Sequence, residues 1–396
     1  MPSTLLTPEV IAKETLMQLQ NNLVMGGLVH RNYKKEFVKI GDTVTIRKPV
    51  KFVVNSGADI TNNVQDVTEA STSITIDKRC NVAWDFTSQD LTLTIQEFSK
   101  RYLQRAVDEM AQQIDYDLCG LYTQVFNTSG TAGTTPNAFS YLGDLNKKMD
   151  QYAIPSDRNL VLDPAAAWSM IDALKGVYNE QMVQDFVQKG KLKSLAGMSI
   201  YKDQNIQSFS PNTHSGTPVI DTVSGVTYIT SGDDAETSVV HIDGVGSGAL
   251  KPGDCFTIDT VYGVNPRSRQ STGNLQEFVV QSAVAYGTDM AVTVKPAIIT
   301  SGAYQTVTAA PVAEDAVTFL SAHTANLAFH ENAFALVTVP LEIPDGVAWA
   351  ARESADGVSI RVMRGHNILT DANVIRLDML YGVKCIYPEL ACRLLG

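Results

Sequence analysis

The sequence lacks any C-x-x-C pair: its five cysteines, Cys80, Cys119, Cys255, Cys385 and Cys392, are odd in number and far apart. That spacing excludes a disulfide framework and a zinc knuckle. It fits reduced thiols packed as small apolar groups in a cytosolic setting. No apolar run approaches the ~18 residues that span a bilayer. The start, Met1-Pro2-Ser3-Thr4, lacks the basic stretch and apolar block of a secretory signal. Positive charge is also short, with 31 Lys and Arg against 42 Asp and Glu, a net charge of -11. Phosphate-backbone binding needs clustered cations that release counterions, so this balance argues against it. An acidic protein can still sit near nucleic acid without adhering to it. What is present is a globular composition, 44% hydrophobic and 18% charged over 396 residues. That excludes a disordered tail, a coiled coil and a collagen-like chain, and the length suits two or three domains.

The pattern along the chain predicts a short first helix. Thr7 and Pro8 open it, Ala12, Leu16, Leu19 and Leu23 form one stripe, and Gly26-Gly27 stops it. Its apolar face must bury against its own core or against a neighbouring subunit. Residues 43 to 86 then alternate with a period of two. Val44, Ile46, Val50, Phe52 and Val54 go out, and Ile74, Ile76, Cys80, Val82, Trp84 and Phe86 return, around a polar turn-rich stretch. Arms of ~35–40 Å are too long to be stable as a free ribbon, and Pro49 removes a ladder donor. Two strands of an ordinary sheet would satisfy the pattern. So would a protruding hairpin laid on another subunit, with Val44, Ile46, Phe52, Ile74 and Ile76 as contact candidates. A capping box at Thr94 and Glu97 opens a predicted spine helix of ~45 Å that runs through Phe98, Leu103, Met110, Ile114 and Leu118 to Val125. From about 140 the pattern is mixed α/β, with strands at 160–162 and 198–201 and a helix after Asp163-Pro164. Between 213 and 304 lie eleven of the 27 glycines and no helical stripe, which predicts a small all-β barrel or sandwich. Alternating character at Val358 to Val362 and a helix or strand around Val374 to Val383 close the chain.

Catalytic motifs fail one by one. His330-Glu331 has Phe334 where a zinc-protease helix needs its second histidine. Gly244-Val245-Gly246-Ser247-Gly248-Ala249 imitates a dinucleotide fingerprint but runs into the turn Leu250-Lys251-Pro252-Gly253 rather than a helix. His323 and His330, seven apart, could share a helix face, although two structural histidines fit better. Asp233-Asp234-Ala235-Glu236 lacks the spaced ligands of a calcium loop. It reads as a solvated acidic loop whose Asp233, Asp234 and Glu236 are candidates for contacts between neighbouring assemblies. No catalytic, cofactor or metal residue is assigned.

The stretch Ala325-Asn326-Leu327-Ala328-Phe329-His330-Glu331-Asn332-Ala333-Phe334-Ala335-Leu336 resembles a signature of tailed-phage coat proteins of the short-tailed Salmonella phage branch. So do Ile360 to Met363, Arg376 to Lys384 and Pro388-Glu389-Leu390, while Leu250 to Asp254 is similar to that branch's inserted domain. The resemblance implies an α+β fold of the Hong Kong 97 type, and it divides the chain. Residues 1–40 would be an N-terminal arm, 41–87 an extended hairpin, and 88–150 a peripheral domain with the spine helix. Residues 151–212 and 322–396 would form an axial and peripheral α/β domain, and 213–321 an inserted β-barrel-like domain. It further implies a non-enzymatic major capsid protein without cofactor. The protein would be a homo-oligomer of hexamers and pentamers in an icosahedral shell, formed with a scaffolding protein and a portal. Assembly would take place in the host cytoplasm and the final location would be the virion. Packaged DNA would lie nearby without sequence-specific binding, and no membrane would be involved. One branch of the fold cross-links its subunits through a hairpin lysine. Lys48 and Lys51 occupy the hairpin here, but no catalytic glutamate is assignable and cross-linking is not expected. The alternatives are an encapsulin-like compartment protein, disfavoured by the β insert, or an enzyme carrying an accessory β module.

Overall fold

The computed structural model describes residues 8–31, 43–54, 64, 69–86, 102–174, 194–212, 214–221, 235–246, 248–287, 290–347, 349–367 and 372–396. Contacts divide the chain into two units. One comprises residues 1–46, 73–119 and 334–386, the other 47–72, 120–333 and 387–396.

In the first unit the helix Pro8–Asn22 buries Ile11, Ala12, Thr15, Leu16 and Leu19. It packs on the helix Gln104–Cys119 and on the strands Ala350–Ala355 and Val358–Asn367, so its stripe is closed within its own unit. The turn after it is pinned by the buried Asp115, whose carboxylate accepts the N–H groups of Val24 and Gly26, each at 2.8 Å. The spine helix is described from Gln104 to Cys119, with Val107, Met110, Ile114 and Leu118 turned inward. The Thr94–Glu97 capping box and Phe98 lie outside the described residues. At its end the expectation of a helix to Val125 fails. Gly120 starts a tighter turn, Gly120–Gln124, as fits a residue about 1 kcal/mol worse than alanine inside a helix.

The unit's five-stranded sheet is antiparallel throughout: Phe334–Val339 and Val358–Asn367 flank Ala372–Cys385, with Ala350–Ala355 beyond. The fifth strand, Lys78–Phe86, pairs with Ala372–Cys385 from Lys78↔Tyr381 to Phe86↔Asn373. The returning arm of the ribbon is therefore two strands rather than one. Ser71–Thr75 pairs with Thr43–Arg47, and the chain then enters the sheet. A long two-stranded ribbon has nothing beneath its apolar face, whereas the sheet supplies Cys80, Val82 and Trp84 with both a ladder and partial cover. The segment read as helix or strand, Val374 to Val383, is strand. Where the ribbon meets the sheet, a Cβ on Gly382 would collide with the Thr75 carbonyl oxygen. Gly382→Ala should therefore lower unfolding stability by about 1–3 kcal/mol in urea titrations. Gly365→Ala, with nothing within 4 Å of the added carbon, should be far milder.

The second unit holds a mixed sheet in the order Thr128–Ser129, Ala391–Leu395, His323–His330, Arg158–Leu162, Met198–Lys202, Ser194–Leu195, with Ser208–Phe209 also pairing to His323–His330. The helices Phe139–Gln151 and Pro164–Leu174 belong to the same unit. Leu142, Leu145, Met149, Leu160, Leu162 and Met170 meet in one core. The Asp163 carboxylate accepts the Ala165 N–H at 2.9 Å, the cap expected before Pro164. His323 and His330 stand on a strand, not a helix. An odd separation on a strand puts them on opposite faces, which removes any shared face.

Among the described residues between 216 and 319, six strands form an antiparallel sheet in the order Val317–Phe319, Cys255–Val264, Ser271–Val280, Met290–Lys295, Ser238–Val245, Gly216–Ile220. Its two ends meet. Val219 bridges Ala316, the Ile220 N–H donates to the Asp315 carbonyl at 2.9 Å, and the sheet closes into a barrel. Ile220, Val240, Ile242, Phe256, Phe278 and Val292 are among the residues of its own core. Of the stretch expected from its glycines and alternation to be all β, residues 222–234, with the short alternating run Val226 to Ile229, lie outside the described residues. Gly244, the first of the glycines that imitate a phosphate loop, sits in a bulge between Asp243 and Val245. Gly216 and Gly244 have φ of 101° and 74°, and a Cβ on either would strike the facing backbone. No helix among the described residues is long and apolar enough to cross a membrane.

Candidate assembly surfaces

The ribbon base is short and polar. The Lys48 N–H donates to the Ala70 carbonyl at 2.8 Å, and Arg47 Nη1 stands 2.8 Å from Glu69 Oε2. Of the predicted contact residues, Ile46, Ile74 and Ile76 are buried in the single chain, at 9%, 0% and 1% exposure. Within the single chain these three side chains are already covered. The physical cause is the short ribbon, which keeps these residues at its rooted end. The backbone of Val44 lies in the same strand, and its side chain is outside the described set. Phe52 at 55% and Val54 at 93% are exposed, as is Val64 at 78%. The free apolar area therefore sits past the paired base.

Asp233 and Asp234 fall outside the described residues. Glu236 is engaged within its own unit, with Lys48 Nζ at 2.7 Å and Lys295 Nζ at 3.3 Å from its two oxygens. Burial pushes its carboxyl up, and the Lys48 hydrogen bond with the charge of Lys295 more than offsets that, so its pKa lies below the ordinary value. The stabilisation it contributes is complete above the unfolded carboxylate pKa of about 4.3 and is lost as pH falls through the lower folded value. Glu236 thereby ties the segment after the ribbon base to the barrel. Lys48→Met should reduce that pH-dependent increment in thermal melts between pH 3 and 5, with Lys295 retaining part of it. Lys51, at the other position weighed for cross-linking, donates its N–H to the Tyr304 hydroxyl at 3.2 Å and holds its ammonium 5.6 Å from that ring.

Sequence patterning missed the charge cluster on the five-stranded sheet. Asp378 is fully buried, with Arg361 Nη2 at 2.7 Å, Arg376 Nε at 2.8 Å and Arg79 Nη2 at 3.2 Å. Burial pushes its carboxyl up, but the hydrogen bonds from Arg361 and Arg376 win and hold it below the usual carboxylate range. The only sequence-level signal was an acidic residue amid alternating apolar ones in Arg376-Leu377-Asp378-Met379. Burial pushes the thiols of Cys255 and Cys392 up to about 11 and about 12, which disfavours the reactive thiolate. Among the described residues no group of three or more His, Cys, Asp and Glu could hold a metal ion.

The model of the family described as P22 coat protein (gene protein 5) matches residues 4–396. The search of curated proteins gave no match. Similar solved structures include one titled Mycobacterium phage Che8, 12% identical over 94% of this chain and 90% of that one, at a TM-score of 0.47. The capsid of Ralstonia phage GP4 is 8% identical over 90% of this chain and 84% of its own, at 0.45. The CUS-3 coat protein I-domain is 22% identical over 27% of this chain and 96% of its own, at 0.22. With a match spanning nearly every residue, the chain belongs to the P22 coat protein family: it is a major capsid protein, a subunit of an icosahedral phage shell.

Proposed function

We propose that copies of this chain associate as hexamers and pentamers, with a scaffolding protein and a portal, in the host cytoplasm, and enclose DNA without reading its sequence. The chain then acts by packing and not by catalysis. The observation that carries this reading is the segment past the ribbon base, where Phe52 and Val54 stand exposed on a chain that buries Ile46, Ile74 and Ile76. Exposed apolar side chains grouped in this way mark a surface that a neighbouring copy would cover. In this reading residues 213–321 are an inserted domain, and Asp233 and Asp234 face a neighbouring capsomer. Support comes from the barrel's closed hydrogen bonding and separate core.

The test is co-expression with the scaffolding protein of the same phage, followed by electron microscopy. Closed shells tens of nanometres across are expected, and a small monodisperse oligomer under every assembly condition would refute the proposal. A fragment of residues 213–321 should fold alone and show dispersed amide resonances. Its weak point is the wall where Cys255 and Val279 join the core formed by the α/β helices. A random-coil spectrum would show that this wall is indispensable.

A further inference from the structure

We propose that a cavity of about 400 Å³ in the second unit binds an amphipathic organic anion, a carboxylate carried on an aliphatic chain. Its size falls within the ~300–1,000 Å³ of small-molecule sites. Phe126, Tyr152, Ile299, Tyr304 and Leu390 supply apolar wall from segments far apart in sequence. Prolines at 49, 266, 296 and 388 line it as well, and their fixed φ stiffens the wall. The Tyr152 hydroxyl is already engaged with Gln276 Oε1 at 3.2 Å.

The charged side of the cavity sets the ligand's sign. Lys48 and Lys295, each with a side chain only 11% exposed, flank Glu236 at 2.7 and 3.3 Å. Lys51 adds a third ammonium, and Glu389 is the second carboxylate of the lining, so three cations face two anions. The sequence as a whole carries a net charge of -11. A local positive surplus beside apolar wall, partly withdrawn from water, favours a group with an anionic head and an apolar tail. Such a ligand would touch the segment after the ribbon base, the barrel and residues 387–390 together, and would hold them in one arrangement.

The experiment uses the purified, unassembled full chain, so its outcome does not depend on shell formation. Decanoate, decylammonium and decanol are titrated by isothermal calorimetry. Saturable decanoate binding is expected, at least about tenfold tighter than decylammonium. Ala235→Trp, at a half-buried lining position, should fill the space and remove binding of both decanoate and decanol. Lys295→Gln should weaken decanoate and leave decanol unchanged. Should Ala235→Trp fail to fold by circular dichroism, a decanoate bearing a photoreactive diazirine should label peptides containing 295–306 or 387–390. Absence of saturable binding, equal affinity for anion and cation, or labelling elsewhere would overturn the proposal.

Discussion

Phe52→Asp should leave the melting temperature of the unassembled chain nearly unchanged and abolish shell yield. In the single chain Phe52 is 55% exposed, and its carbonyl accepts a hydrogen bond from Arg269 Nη2 at 2.9 Å, which a side-chain change retains. Surface changes of this kind fall within about 0.5 kcal/mol. In a shell the same position would meet a neighbour, and an unpaired carboxylate in an apolar contact costs several kcal/mol for each copy. Because the penalty recurs at every contact, assembly fails even though each monomer remains folded. Thermal unfolding and shell yield by sedimentation, measured on the same variant, check both halves. A large fall in monomer stability would place Phe52 against its own core. Normal shells from a stable variant would remove this segment from the interface.

Asp378→Ala should be the most damaging single change to the monomer. The carboxylate has no exposed surface, and Arg361, with its side chain 7% exposed, would be left as a buried charge without its partner. Removing one member of a buried pair costs about 3–5 kcal/mol. Arg79 and Arg376, at 42% and 38% exposed, regain water and add little. The three tryptophans allow a local readout. Trp84 and Trp349 lie in the same unit as Asp378, while Trp168, 54% exposed, lies in the other. In a Trp168→Phe background, urea unfolding followed by fluorescence reports on the affected unit. A double change, Arg361→Met with Asp378→Leu, should recover much of the loss, since neither charge is then stranded. The sign with pH follows from the lowered carboxyl. Stability from Asp378 is full above the unfolded value of about 3.9 and fades as pH falls through the lower folded one. Asp378→Ala should therefore flatten the acid limb of the stability curve. An unchanged urea midpoint would mean that the cluster contributes nothing net.

Local pattern alone was enough to place the elements with strong periodicity. The stripe Ala12, Leu16, Leu19 made the first helix, Asp163-Pro164 capped another, and turn-punctuated alternation at 239–242, 255–258, 278–280 and 292–294 fell inside the longer barrel strands 238–245, 255–264, 271–280 and 290–295. Those signals are short-range, because side-chain spacing and capping act within a few residues. The family signature at 325–336 was likewise legible, since it is carried by residue identities. Partner choice was not. Whether Ile74 to Phe86 continued a ribbon or joined a sheet depended on Ala372–Cys385, nearly three hundred residues away, which offered a ladder and an apolar face together. Whether Ile46, Ile74 and Ile76 faced a neighbour or their own chain depended on the same folding event. Asp378 amid its arginines, Glu236 between Lys48 and Lys295, and the cavity beside them are also long-range meetings. Sequence spacing carries no information about such encounters, because burial and Coulomb attraction act through space and only the folded chain brings those groups within reach.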